Sequence, residues 1–320
     1  MLESDGVALR PSEASAGFAK TVNLEDASGR IWYTPLDGAC RPLGDAHVNF
    51  SFFCVVPGGP GEIRGKQMAD VLGGRFNPES GYDDDCCVYV LGATPKDHIE
   101  PRCTYHDVID CGWSRLSRVR SWKQGGIIAI SKVQVDALHD YFPGRKIYFI
   151  PQHHCNFKRD KRPDRPPLRV GCIGGDSAVQ WPHHAIARHL EALGMEWHFE
   201  EQFHRRSRVV DYYKNLDIQI SFRPTHERDQ AFLRHMNCLK LSNAGSFGIP
   251  TVSYPEPAYV MEWEKECLWG ATMGDVLTQV KRLRDEPSLY AEMAARALAK
   301  SEEYHIDRIA TLYQALPKGN

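Results

Sequence analysis

Residues 240–259 read Lys-Leu-Ser-Asn-Ala-Gly-Ser-Phe-Gly-Ile-Pro-Thr-Val-Ser-Tyr-Pro-Glu-Pro-Ala-Tyr. The polar stretch from Cys238 to Phe247 is compatible with a helix. It stops at Gly248, the residue type that most readily closes a helix in a left-handed cap. Pro250 cannot continue a helix. Thr251, Val252, Ser253 and Tyr254 then read as a short strand, rich in β-branched and aromatic side chains. Pro255, Glu256, Pro257 and Tyr259 form a rigid loop leading into a new helix. Ligands of α/β sheets bind beyond the carboxyl ends of the strands. Glu256 is predicted there, with Lys240 and Asn243 on the helix beside it.

The same alternation extends to both sides. Upstream, Leu168 to Ile173 reads as a strand, with Gly174-Gly175-Asp176-Ser177 as its exit loop. Pro182 suits the first turn of a helix, whose buried stripe is Ile186, Leu190 and Leu193 and whose stop is Gly194. Trp197 to Phe199 is a strand, Val209 to Leu216 a short helix, and Ile218 to Phe222 a strand leaving through Arg223-Pro224-Thr225-His226. Downstream, Val276, Leu277, Val280 and Leu283 mark a helix, and Leu289 to Lys300 and Ile306 to Leu316 mark two more.

A second block precedes these. Val48 to Val56 is a nearly continuous apolar run, the pattern of a central parallel strand. Pro57-Gly58-Gly59-Pro60-Gly61 and Arg64 follow as a Gly-rich loop, and a helix is expected from near Lys66 with Met68, Ala69 and Leu72 inward. The loop matches neither Gly-x-Gly-x-x-Gly nor a phosphate loop. Cys86 to Leu91, Thr104 to Ile109, Ile127 to Ile130 and Ile147 to Ile150 read as strands. Ser114 to Lys123 is a helix carrying Arg115, Arg118, Arg120 and Lys123, a solvated face or one suited to an acidic acceptor or an anionic membrane. Ser131 and Gln134 fit a capping box, followed by Val135, Leu138 and Phe142 on one helical face. Lys158 to Pro167 is a charged, Pro-rich linker between the blocks. Residues 1–16 are expected to be disordered, and Thr21 to Leu24 with Ile31 to Thr34 flank a turn at Asp26 to Gly29, a β-hairpin pattern.

Lys240, Asn243-Ala244, Gly248-Ile249-Pro250-Thr251-Val252 and the Pro-Glu-Pro-Ala-Tyr run resemble the donor-binding segment of GT-B glycosyltransferases of the family 4-like, group 1 type. The resemblance is strongest over 168–316, weaker over 46–157 and absent over 1–45. It implies an α/β fold with two Rossmann-like domains facing across a cleft. The division expected is 1–45 an appendage with a hairpin, 46–157 an acceptor domain, 158–300 a nucleotide-sugar domain, and 301–320 a terminal helix able to cross back to the first domain. It also implies transfer of a sugar from a nucleotide sugar to an acceptor hydroxyl. That acceptor is a saccharide, lipid-linked sugar, natural product or nucleic acid. No cofactor or metal is expected beyond the nucleotide-sugar co-substrate. The paired glutamates of many retaining members are replaced by His235 and Asn243, with Glu227 nearby out of register, and the usual basic pair after the first strand of the second domain is absent.

A chain of 320 residues suffices for two domains at about 150 residues each. A net charge of −2 argues against wholesale nucleic-acid coating. No apolar run approaches the roughly 18–20 residues that span a bilayer, and the first residues lack a secretory pattern. A cytoplasmic location is expected, with room for peripheral membrane contact. Ten cysteines include no Cys-x-x-Cys, and His153-His154-Cys155 and His183-His184 do not supply a metal set. Reduced, buried thiols are expected.

A departing nucleoside diphosphate needs cations or helix N-termini. The donor-binding candidates are Gly174, Gly175, Arg223, Lys240, Ser242, Asn243 and Glu256, with Arg234 weaker. Gly58, Gly59, Gly61 and Arg64 are candidates for the cleft loop. A general base for an inverting reaction is sought in His106, Asp107 and Asp110. Two other readings stand beside the transferase: a catalytically silent GT-B-like binding or scaffold subunit, and a two-domain NAD-dependent dehydrogenase, for which the dinucleotide fingerprint is lacking.

Overall fold

The computed structural model describes residues 21–25, 31–35, 49–56, 58–94, 103–109, 111, 113–175, 178–201, 203–224 and 236–317. The expectations for residues 1–16, the 26–29 turn, Asp110, Asp176, Ser177, Thr225, His226, Glu227, Arg234 and His235 lie outside them. The chain forms two compact units, 1–46 and 47–320. In the first, β1 (Thr21–Glu25) and β2 (Ile31–Pro35) pair antiparallel as a hairpin.

The second unit holds two wholly parallel sheets with helices between the strands. The first comprises β3 (Phe50–Phe53), β4 (Arg75–Phe76), β5 (Cys86–Val90), β6 (Cys103–Asp107), β7 (Gly126–Ala129) and β8 (Ile147–Phe149), in spatial order β4-β3-β5-β6-β7-β8. The second comprises β9 (Arg169–Ile173), β10 (Glu196–Glu200), β11 (Ile218–Ser221), β12 (Thr251–Ser253) and β13 (Cys267–Trp269), in order β10-β9-β11-β12-β13. In each, the first strand of the sheet lies between the second and the third. Strand order reverses there, and the exits of first and third strands splay apart into a crevice suited to ligands. That crevice lies between β3 and β5 in one sheet and between β9 and β11 in the other.

The helices are α1 (Gln67–Leu72), α2 (Trp113–Ser121), α3 (Lys132–Tyr141), α4 (His183–Ala192), α5 (Arg206–Lys214), α6 (Leu239–Gly245), α7 (Pro257–Trp263), α8 (Met273–Asp285), α9 (Pro287–Ser301) and α10 (Ile306–Gln314). Most match the apolar stripes of the sequence. Two strands escape it, β4 and β13, with only two and three residues. The predicted capping box at Ser131 is half formed. The Ser131 hydroxyl accepts from the Gln134 N–H, but the Gln134 side chain accepts from the Ile130 N–H at 2.8 Å.

The last helix supplies part of the first sheet's core. Ile306, Ile309, Ala310 and Tyr313 pack with Phe52, Met68, Val88, Val90 and Ile128. A buried ion pair accompanies them. Arg64 lies in a wide helical turn (Gly61–Lys66); its Nε donates to Asp107 at 2.8 Å and its Nη2 stands 2.6 Å from the same carboxylate oxygen as an ion pair, with both side chains fully buried. Arg64 also donates to the Pro151 carbonyl at 2.7 Å, and the Tyr313 hydroxyl donates to Asp107 at 3.1 Å. Removing one partner strands an uncompensated buried charge. Asp107→Asn should therefore cost about 3–5 kcal/mol, and the paired change Arg64→Met with Asp107→Leu less. Urea unfolding of the two variants against wild type checks this.

Candidate functional site

At the second crevice, β9 exits into Gly174 (φ +148) and Gly175. A Cβ on Gly174 would meet the Ala178 methyl at 2.8 Å and stand 3.6 Å from Lys240 Nζ. Only glycine permits this path, so bare backbone lies beside the Lys240 amine. α6 brings Lys240 there, half-buried, and its backbone carbonyl accepts from Gln219 of β11 at 3.0 Å. Across the crevice, β11 exits into Arg223. The buried Cys172 thiol is pushed up by burial and pulled back by the charges of Lys240 and Arg223. Two cations thus stand around the exits of β9 and β11.

Arg223 is not unopposed. Its Nε and Nη2 donate to the two Glu256 oxygens at 2.8 and 2.5 Å, and Nη2 also donates to the Tyr259 hydroxyl at 3.2 Å. Burial works against the guanidinium charge, but the Tyr259 oxygen and the Glu256 carboxylate outweigh it and raise its pKa. This corrects the expectation for Glu256. It caps α7 at the exit of β12, but it is fully buried with both oxygens on Arg223, and it presents nothing to a ribose.

Ser242 and Asn243 also receive different positions from those expected. The Ser242 hydroxyl donates to the Leu239 carbonyl at 3.2 Å inside its own helix. Asn243 was expected to turn to the cleft because an amide does not suit a packed core. It is 6% exposed, and its oxygen accepts from the Cys155 N–H at 2.8 Å. The buried chain between the sheets needs acceptors for its own N–H groups, and Asn243 supplies one.

In the first sheet the expected base candidates are sealed. His106 lies within β6, fully buried, stacked on Tyr89 at 5.8 Å. Neither ring nitrogen has a hydrogen-bond partner among the described residues. Asp107 is occupied by Arg64 and Tyr313, and its other oxygen accepts from the Ile109 N–H at 3.1 Å. Arg64, expected in the cleft loop, belongs to the core. Gly61 is packed, since a Cβ there would reach 2.3 Å from the Val56 carbonyl. Gly58 (φ +80) and Gly59 (φ +49) do form an open loop, with nothing within 4 Å of a Cβ on either. Among the described residues no three His, Cys, Asp or Glu side chains cluster as metal ligands.

No family model and no curated protein matches the sequence. Solved structures do. HepE of Anabaena in complex with UDP is 10% identical at a TM-score of 0.55, covering 83% of this chain and 98% of that one. A glycosyltransferase from Rickettsia africae ESF-5 is 9% identical at 0.54, covering 83% and 97%. The fold is GT-B. This chain spans only 54% of TarM and 53% of the chain matched in the GtfA/B complex. Among the described residues no helix of this GT-B chain is long and apolar enough to cross a membrane.

Three histidines give the GT-B core a pH signature. Burial pushes His153 down to about 4, and His154 and His106 to about 3. The unfolded chain takes up their protons below about 6.5 while the folded chain does not. Stability should therefore fall as pH drops from about 6.5 toward 4, by up to about 1.4 kcal/mol per pH unit for each histidine. Urea midpoints at several pH values check the slope, and His106→Phe should flatten it.

Proposed function

We propose that this chain is a glycosyltransferase that takes a sugar from a nucleoside-diphosphate sugar, without a metal. The observation that carries the reading is the bare Gly174 backbone beside Lys240 at the switch point of the second sheet. A diphosphate needs close backbone approach and a cation, and this crevice offers both. Lys240 is the principal group, because its amine stands beside the bare Gly174 backbone at the exit of β9. Gly174 and Gly175 line the approach. The solved structures of HepE with UDP and with UDP and glucose support a nucleotide-sugar donor.

As the glycosidic bond breaks, negative charge gathers on the diphosphate. An ammonium about 4 Å away contributes roughly 4 kcal/mol gross at an effective dielectric near 20. The contribution grows as charge develops, so it lowers the barrier more than it strengthens ground-state binding. The sealed positions of His106 and Asp107 favour one other reading, a GT-B subunit that binds a nucleotide sugar without turning it over. Hydrolysis or transfer of donor by the purified chain separates the two.

A matching nucleoside diphosphate at about 100 times its Kd should stabilise the protein by about 2.7 kcal/mol, read as a shift in Tm across a nucleotide panel. Lys240→Ala should lower turnover on the order of 100-fold with the fold intact. Wild-type turnover and nucleotide affinity in that variant would move the donor site elsewhere.

A further inference from the structure

The first sheet has its own switch point, between β3 and β5. At the exit of β5 the chain turns through Leu91 (φ +59) and Gly92 (φ +70), and the Ala93 N–H donates to the Val90 carbonyl at 3.2 Å. Two consecutive left-handed residues make a tight mirror-image turn that favours glycine or asparagine. Leucine, with its Cβ, is strained there. The turn makes room for Arg115 of α2. A Cβ on Gly92 would stand 2.9 Å from the Arg115 Cβ, 3.4 Å from its Cγ and 3.5 Å from its Cδ. The Arg115 stem is thus laid across Gly92, half-buried, at the exit of β5. Arg115 therefore stands beside one of the two strands, β3 and β5, that open the crevice.

None of the described carboxylates pairs with Arg115. Asp107 is held by Arg64 and Tyr313, and His106 is kept neutral by burial. At the exit of β3 the chain runs through Val55, 75% exposed, into the open Gly58–Gly59 loop. A guanidinium fork matches a phosphomonoester or carboxylate through paired hydrogen bonds.

We propose that Arg115 receives an anionic group of the acceptor, a phosphomonoester or a carboxylate, at the switch point of the first sheet. The inference rests on the transferase reading above. It assigns the diphosphate to the second sheet and the acceptor's charge to the first.

Calorimetry with simple probes tests it: a hexose phosphate, a hexuronate and a water-soluble prenyl phosphate, each against its uncharged counterpart, with and without saturating UDP. At least one charged probe should bind wild type better than its counterpart. Arg115→Met keeps the stem over Gly92 and should weaken that binding about tenfold or more, the scale of a charge-assisted hydrogen bond. Arg115→Lys should restore part of it. Gly92→Ala, which displaces the stem without removing the charge, should also weaken it. UDP affinity should not change in these variants. Binding of the hexose phosphate alone or of the prenyl phosphate alone tells a free sugar phosphate from a lipid-linked one. The proposal fails if no charged probe binds, if neutral counterparts bind as tightly, or if Arg115→Met binds the probes as wild type does. It also fails if that variant loses UDP instead. If wild type does not bind UDP, the donor reading falls, while the titrations without UDP still decide the role of Arg115.

Discussion

One guanidinium ties together most of the first half of the GT-B unit. Arg64 reaches the end of β6 through Asp107, the exit of β8 through the Pro151 carbonyl, and α10 through the Tyr313 ring at 5.4 Å. It does so with no exposed surface. A buried charge is tolerable only when it is paired with an opposite one, and removal of that partner is costly. The wide turn at Gly61–Lys66 carries Arg64 inward, and Gly65 allows it, since a Cβ there would stand 2.6 Å from the Phe76 ring. The loop after β3 is thereby anchored at its far end. Gly58 and Gly59 remain open, with nothing within 4 Å of a Cβ on either.

Polar contacts join the two sheets along a buried crossing. The chain from Pro151 to Asn156 is buried throughout, so its backbone groups need protein partners. The His154 N–H donates to the Tyr304 carbonyl, the Cys155 N–H to Asn243, and Arg206 donates to the Cys155 carbonyl. The Asn156 amide donates to the Ser246 carbonyl, and the His153 ring nitrogens face the carbonyls of Ile63 and His154. Glu262 of α7 completes the join. It accepts from the Lys132 N–H at the start of α3 and from the Tyr304 hydroxyl at 2.7 Å. Burial raises its pKa despite both bonds, so the join holds a carboxylate at some energetic cost.

This explains what was legible from residues alone. Apolar runs and glycine stops revealed the strands and helices, because period and punctuation are local signals. The Gly174–Gly175 exit and Lys240 were legible for the same reason, as loop and helix beside a strand end. Arg64–Asp107 and Arg223–Glu256 were not, because the partners lie 43 and 33 residues apart and nothing local pairs them. Polar residues at strand ends were therefore read as facing a ligand when several face each other. Asn243 shows the same error. Its partner is the backbone of a crossing whose burial cannot be read from its polar sequence. Arg115 was read as one member of a solvated basic face, yet Arg118 and Arg120 are exposed while Arg115 is half-buried over Gly92. The signal was the glycine, not the arginine.

The two sheets repeat one topology, and that repetition confines where chemistry can occur. In each, the second strand lies outside the first, so the exits of first and third strands part and leave a crevice. Each crevice carries a left-handed glycine, Gly92 in one and Gly174 in the other, against which a basic side chain is laid. A Cβ on Gly92 would strike the Arg115 stem at 2.9 Å, while one on Gly174 would strike the Ala178 methyl at 2.8 Å and only touch Lys240 at 3.6 Å. The two cations stand at the strand exits beside the switch points. Buried ion pairs elsewhere in the unit, Arg64 with Asp107 and Arg223 with Glu256, hold the strand ends in place. Position relative to the switch points, more than residue type, separates the side chains sealed into the fold from those that stand beside a crevice.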